Sequence, residues 1–110
     1  MNLPGWERAV VDSAKVRDYL LSASHPVGRF KAAFFNALGY TDVNWTVLQN
    51  DLLTIAESDA ATAGLTSEFG EKYEIRATLV GPSGRNATVV TAWIVRAGED
   101  LPRFITAHPG

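Results

Sequence analysis

The sequence predicts an α+β protein: three N-terminal helices packed on a small antiparallel sheet of three to four strands that runs as a meander. Three observations carry that class. Up to about residue 57 the apolar residues recur at the three- and four-residue spacing of a helix face. From about residue 72 they alternate with polar ones, as a half-buried strand requires. Two glycine-bearing turns, at 81–84 and 98–100, then divide the remainder into three strands. Helices followed by strands is the α+β order, with the helices covering one face of the sheet.

Residues 3–11 read as a lead-in, in which Arg8-Ala9-Val10-Val11 is a candidate fourth strand at a sheet edge. Asp12 or Ser13 caps a first helix over 12–22, with an apolar stripe of Val16, Tyr19, Leu20 and Ala23. Lys15 and Asp18 lie off that stripe. A second helix is expected over 26–38, opened by Pro26 and closed by Gly39. Its inward face is read as Val27, Phe30, Phe34, Ala37 and Leu38, with Lys31 and Phe35 on a neighbouring flank. Thr41 and Asp42 open a third helix over 42–57, in which Trp45, Leu48, Leu52, Leu53 and Ala56 keep helical spacing.

Ser58 to Ser67, built of small residues, reads as a loop or a frayed helix end. Lys72 to Val80 alternates and is the first strand of the meander. Gly81-Pro82-Ser83-Gly84-Arg85 has the look of a phosphate loop, but it joins two strands and precedes no helix, so it is a hairpin turn. Asn86 to Arg96 is almost continuously apolar and should be central. Leu101 to Ala107 is the last strand, and Pro102 puts its start at an edge or a bulge. In the central strand Thr91 and Trp93 share a side with Val89 and Val95, while Val90, Ala92 and Ile94 point the other way. Both sides are apolar, and the pattern leaves open which one meets the helices.

The length of 110 residues predicts a single domain over 1–110. The absence of cysteine excludes disulfides and thiolate chemistry. His25 and His108 are the only histidines and show no metal-ligand spacing, so neither a metal nor another cofactor is expected. No apolar run approaches the roughly 20 residues of a membrane span, and Met1 to Glu7 lacks the basic lead and apolar core of a signal peptide. A cytoplasmic protein is the expectation. The net charge is −2, but it is segregated. From Asp51 to Glu71 there are five acids and no Lys or Arg, which leaves a positive surplus elsewhere. Such a distribution permits a local anion-binding face, and it is too narrow for a duplex-DNA binder.

The chemistry concentrates in the corner His25-Pro26-Val27-Gly28-Arg29-Phe30-Lys31. A proline-opened helix start offers free amides and a positive dipole end to an anion, and here an imidazole, a guanidinium and an ammonium surround it. Without nucleophile triad, nucleotide loop or metal set, the inventory is His, Lys, Arg, Thr and Trp. That inventory suits metal-free cleavage of RNA, in which a base takes the 2′-hydroxyl proton, an acid protonates the 5′-oxygen and cations stabilise the phosphorane. His25 is the natural acid or base because an imidazole exchanges protons near neutral pH. Trp93 can stack a base or fill the core. Arg103 and Thr106 alternate onto opposite faces, so both can serve one site only if a bulge intervenes. His108 sits in an end expected to fray.

Several segments together resemble an uncharacterised bacterial domain-of-unknown-function family. They are Lys15 to Leu21, His25 to Ala32, Phe35 to Gly39, Gly70-Glu71-Lys72-Tyr73, Thr91-Ala92-Trp93-Ile94-Val95 and Pro102-Arg103-Phe104-Ile105-Thr106. Its members are similar to toxin domains of the barnase–EndoU–colicin–RelE group, which place helices before a small antiparallel sheet. The resemblance implies a metal-independent endoribonuclease toxin of a toxin–antitoxin or contact-toxin system. On that reading His25, Lys31 and Thr91 are catalytic, and Lys15, Arg29, Trp93, Arg103 and Thr106 bind substrate. The implied partners are RNA and a small cognate antitoxin or immunity protein, with no membrane and no duplex DNA. The alternative is a non-enzymatic antitoxin-like or immunity-like interaction module, which the acidic stretch 51–71 would suit. A catalytically silent structural domain is the third reading.

Overall fold

The computed structural model describes residues 1–110. Its helical segments occupy the N-terminal half and an antiparallel sheet the C-terminal half, so the class is α+β. After a 3-10 turn at Trp6–Arg8 come a short helix α1 (Ser13–Lys15), a π-helical turn (Val16–Leu20), α2 (Arg29–Ala37) and α3 (Trp45–Ala56). Four strands follow in sequence order across the sheet: β1 (Ala61–Ser67), β2 (Gly70–Val80), β3 (Asn86–Arg96) and β4 (Pro102–Pro109).

The first helix is shorter than its periodicity predicts. Asp12 caps it by accepting from the Ala14 amide, 3.1 Å, as expected. The Leu21 amide then donates to the Val16 carbonyl, an i→i+5 bond that widens the helix into the π turn. Helix two begins at Arg29, because Pro26 to Gly28 form a turn ahead of it. Its buried face is correspondingly rotated. Ala32, Phe35 and Leu38 are buried, whereas Val27 and Phe30, expected inside, are exposed. The cause is Gly28, where an added Cβ would lie 1.8 Å from the Tyr19 carbonyl oxygen. Gly28 and Ala32 let α2 press against the π turn, and the residues at their spacing turn inward.

The fourth strand is not at residues 8–11. There Val10 makes only a single parallel bridge to Arg103, with its amide on the Pro102 carbonyl and its carbonyl accepting from Phe104. The fourth strand is β1, in the stretch read as a loop. Six of its seven residues are exposed, so no inward apolar pattern marked it; pairing with β2 supplies its order.

Position β3 is central, and its core face is now settled. Val89, Thr91 and Trp93 are buried beside Tyr73, Ile75 and Leu79 of β2 and Phe104 and Ala107 of β4. These pack with Val16, Leu20, Phe35, Leu48, Leu52 and Ile55 in one apolar cluster. Burying an indole obliges its N–H to find an acceptor. Trp93 Nε1 donates to Thr91 Oγ1 at 2.8 Å, and Thr91 Oγ1 donates to the Ile75 carbonyl at 3.1 Å. Thr91 is thus the acceptor that makes a buried tryptophan tolerable.

Thr91→Val should strand the Trp93 N–H in the core and cost about 1–3 kcal/mol, read from denaturant unfolding. Thr91→Ser keeps the hydroxyl and should fall much closer to wild type. Equal losses in the two variants would rule this pairing out as the reason for the threonine.

Candidate functional site

The π turn, the Pro26–Gly28 corner, α2 and β4 converge on one group of side chains. Lys31 Nζ donates to Thr106 Oγ1 at 2.7 Å and to the Tyr19 hydroxyl at 3.2 Å, and those two oxygens are 3.1 Å apart. The Lys31 and Lys15 ammonium groups lie 5.4 and 5.6 Å from the Tyr19 ring centre. His25 meets the same ring edge-on at 5.1 Å. Lys15, Tyr19 and His25 line an open pocket of about 330 Å³ with Asp12, Ala14 and Asp18. Both carboxylates there are engaged: Asp12 caps α1, and Asp18 holds Arg17 through two contacts of 3.0 and 3.1 Å.

Thr106 reaches this group because of a β-bulge. Ala92 pairs with Thr106 and Trp93 with Phe104, so Ile105 is an extra residue. The bulge shifts the alternation and sets Thr106 and Arg103 on the same face, opposite the core face of Thr91 and Trp93. Arg103 is not a free cation, however. Glu99 holds its guanidinium at 3.0 and 2.9 Å and raises its pKa.

The expected phosphate cradle at the corner is already filled. The Val27 and Gly28 amides both donate to His25 Nδ1 at 3.0 Å. The Arg29 and Phe30 amides donate to the His25 and Val27 carbonyls, and the Lys31 amide to that of Gly28. No amide of the corner is left for an anion. The same bonds assign the tautomer: Nδ1 accepts, so the ring proton is on Nε2. His25 is therefore a helix-start cap that presents one N–H donor at its far nitrogen.

Of the residues expected from the sequence, the structure brings together Lys15, His25, Lys31 and Thr106. Arg29 is exposed and lies over the Phe30 ring, 4.7 Å from its centre. Thr91 and Trp93 are fully buried on the opposite face of the sheet and cannot touch a substrate. The missed residue is Tyr19, which its spacing assigns to the core stripe. It is half-buried and faces two lysines. Burial pushes its phenol up, but the Thr106 and Lys31 hydrogen bonds and the two lysine charges outweigh burial and leave it below the ordinary tyrosine range.

A domain of unknown function, DUF6883, matches residues 2–110 of the chain. The chain belongs to the DUF6883 family. The match spans all the segments above, from the π turn to the bulged β4. Among solved structures, a chain of the contact-dependent growth inhibition toxin–immunity protein complex from Klebsiella pneumoniae 342 has the same fold. The TM-score is 0.74 over 94% of this chain and 95% of that one, at 23% identity. No curated protein matches. No helix of this DUF6883 chain is long and apolar enough to cross a membrane, and no three His, Asp or Glu side chains gather as a metal site.

The three tyrosines make the site readable by alkaline titration. Hydrogen bonding to Glu71 holds the Tyr73 phenol above its ordinary range, and burial with the Asp51 contact does so for Tyr40. The first phenolate to form, below the usual value near ~10, should be Tyr19: one step of one-tyrosine amplitude in ultraviolet absorbance. Tyr19→Phe should abolish that step and Lys31→Met should move it upward. The linkage sign follows. The fold favours the Tyr19 phenolate, so its stabilisation is present above the unfolded pKa and is lost as pH falls through the folded one. Tyr40 and Tyr73 act oppositely, stabilising below the unfolded value and losing that as pH rises further.

Proposed function

We propose that the chain is a metal-independent endoribonuclease of the toxin type, acting in the cytoplasm of a target cell and held in check by a small cognate antitoxin or immunity protein. The observation that carries the reading is the Lys31–Tyr19–Thr106 triangle beside His25. It sets a phenol of lowered pKa against an ammonium beside a pocket that Lys15 and His25 line together with the engaged carboxylates of Asp12 and Asp18. The shared fold with a chain of a toxin–immunity complex supports the reading, as does the likeness to the barnase–EndoU–colicin–RelE toxins drawn from the sequence.

The arrangement supports a balanced transfer. The Tyr19 phenolate takes the proton of the RNA 2′-hydroxyl, and the 2′-oxygen attacks phosphorus. The bond to the 5′-oxygen breaks, and that oxygen leaves with a proton from the Lys31 ammonium. The Tyr19 proton then passes to Lys31 across their 3.2 Å hydrogen bond, which restores both groups. Lys15 and the His25 Nε2–H stabilise the phosphorane charge, Arg29 holds a flanking phosphate, and Thr106 takes the hydroxyl role expected of Thr91. His25 thus shifts from the proton-transfer role expected of it to a hydrogen-bond donor. The products are a 2′,3′-cyclic phosphate and a 5′-hydroxyl.

The second reading, an immunity-like or antitoxin-like module, draws on the exposed acids around β1, and the complex that shares the fold holds an immunity protein as well as a toxin. Cleavage separates the two. The purified protein should cut RNA in EDTA and leave a cyclic phosphate, and its induced expression should arrest growth. Tyr19→Phe and Lys31→Met should each lower the rate about 10²–10⁴-fold. His25→Ala also removes a cap worth roughly 0.5–2 kcal/mol, so His25→Asn, whose amide oxygen can accept the same N–H groups, is the cleaner variant and should cut more slowly at near-normal stability. No cleavage of any cellular RNA by the wild type would leave the module reading in place.

A further inference from the structure

We propose that the outer edge of β1 is a docking edge that receives a strand from a second protein whose strand is flanked by lysine and arginine. The proposal names the partner's chemistry and not the reaction, so it stands whether or not the chain cuts RNA.

The two edges of the sheet are treated differently. At β4 the start of the edge is covered by Val10, whose amide and carbonyl bond to Pro102 and Phe104, and Pro102 and Pro109 at the two ends of the strand lack a donor. At β1 only the first residue is covered, by the Ala61 amide on the Met1 carbonyl. Beyond it β1 is the end strand of the sheet. Thr62 to Ser67 contains no lysine, arginine or proline, the residues that ordinarily guard such an edge. A bulge between Ala63 and Thr66 throws Leu65 outward, where it is 78% exposed.

The hairpin that follows is rigid and displays an aromatic. Phe69 is 72% exposed, yet its backbone is pinned: its amide donates to Ser67 Oγ and its carbonyl accepts from the Ala97 amide. Gly70 beside it has φ 143°, and a Cβ there would lie 2.2 Å from the Val95 carbonyl oxygen. An ordered, solvent-facing aromatic next to an open backbone edge has already met much of the ordering cost of binding. Strand addition would give backbone hydrogen bonds, with Leu65 and Phe69 as anchors.

Charge selects the occupant. Exposed carboxylates stand at both ends of β1, Glu57 and Asp59 before it and Glu68 after it, with no Lys or Arg from Asp51 to Glu71. Lys72, the nearest cation in sequence, is on β2 rather than on the edge. A second copy of this chain would bring acids against acids, whereas a strand with basic flanks would be drawn in. Three strand positions separate this edge from Thr106 on β4, so a partner on β1 leaves the Lys31 group uncovered.

The test is a titration of the full isotope-labelled chain, followed by backbone amide resonances. The probe is a synthetic strand of alternating threonine and valine with lysines at both ends, compared with the same strand ended by glutamates. Shifts should be confined to Thr62–Phe69, and the lysine-ended strand should bind at least about tenfold tighter at low salt. The pair Leu65→Ser with Phe69→Ser should weaken binding several-fold while its circular dichroism and any RNA cleavage match wild type. Shifts centred on His25 or β4, or equal binding of both probes, would overturn the proposal. So would a concentration-dependent dimer protecting β1, which would assign the edge to a second copy.

Discussion

The site depends on one close approach, Gly28 against the carbonyl of Tyr19. Only a residue without a side chain allows the start of α2 to seat there, since a Cβ would stand 1.8 Å from that oxygen. Seating α2 fixes its rotation, turns Ala32 and Phe35 inward and leaves Lys31 beside the Tyr19 hydroxyl. The π turn supplies the other half of the contact by widening the helix where α2 arrives. Core packing and site geometry are therefore the same constraint seen from two sides. A methyl group at position 28 would disturb both.

His25 shows how a local hydrogen-bond demand overrides a plausible chemical role. The corner amides are orphan donors of the kind that bind phosphate in many proteins. Here an imidazole two and three residues earlier reaches them first. The capture costs the corner its anion site but fixes the ring, so Nε2–H points from a defined place. On the proposed reading, positive charge for a phosphate comes from Lys15, Lys31 and Arg29 rather than from the helix start. The Lys31 ammonium is held by two neutral oxygens rather than by a carboxylate, so its charge remains available to an incoming anion.

What could be read in the sequence followed from burial that recurs at a fixed period. β3 was legible because a run of β-branched and apolar residues lies between two glycine-bearing turns, and β2 because its alternation is clean. β1 was not, because its residues are small and face water on both sides, so its pairing with β2 leaves no trace in hydropathy. The rotation of α2 was missed for a different reason. Phe30 and Phe35 are equally apolar, and only the contact at Gly28, distant in space from neither but invisible to spacing, decides between them. His25 and Lys31 are candidates because they share the basic corner, and Lys15 is one through the family resemblance; the fold brings the three side chains together around Tyr19. Thr106 joined them through a bulge that Pro102 hinted at, while Thr91 and Trp93 needed the face of β3 to be known.

The two edges of the sheet differ in how they are covered. At β4 Val10 covers the start of the strand, and the bulge beyond it aims Thr106 at Tyr19 and Lys31. β1 is the opposite end of the same hydrogen-bonded array, tied to β4 only through β2 and β3. Those two strands carry the Thr91–Trp93–Ile75 bonds, which satisfy the buried indole. Any path through the sheet from β1 to the Lys31 group therefore crosses β2 and β3. The Lys31 group thus meets the sheet at β4 and the exposed edge lies at β1, with the buried centre of the sheet between them.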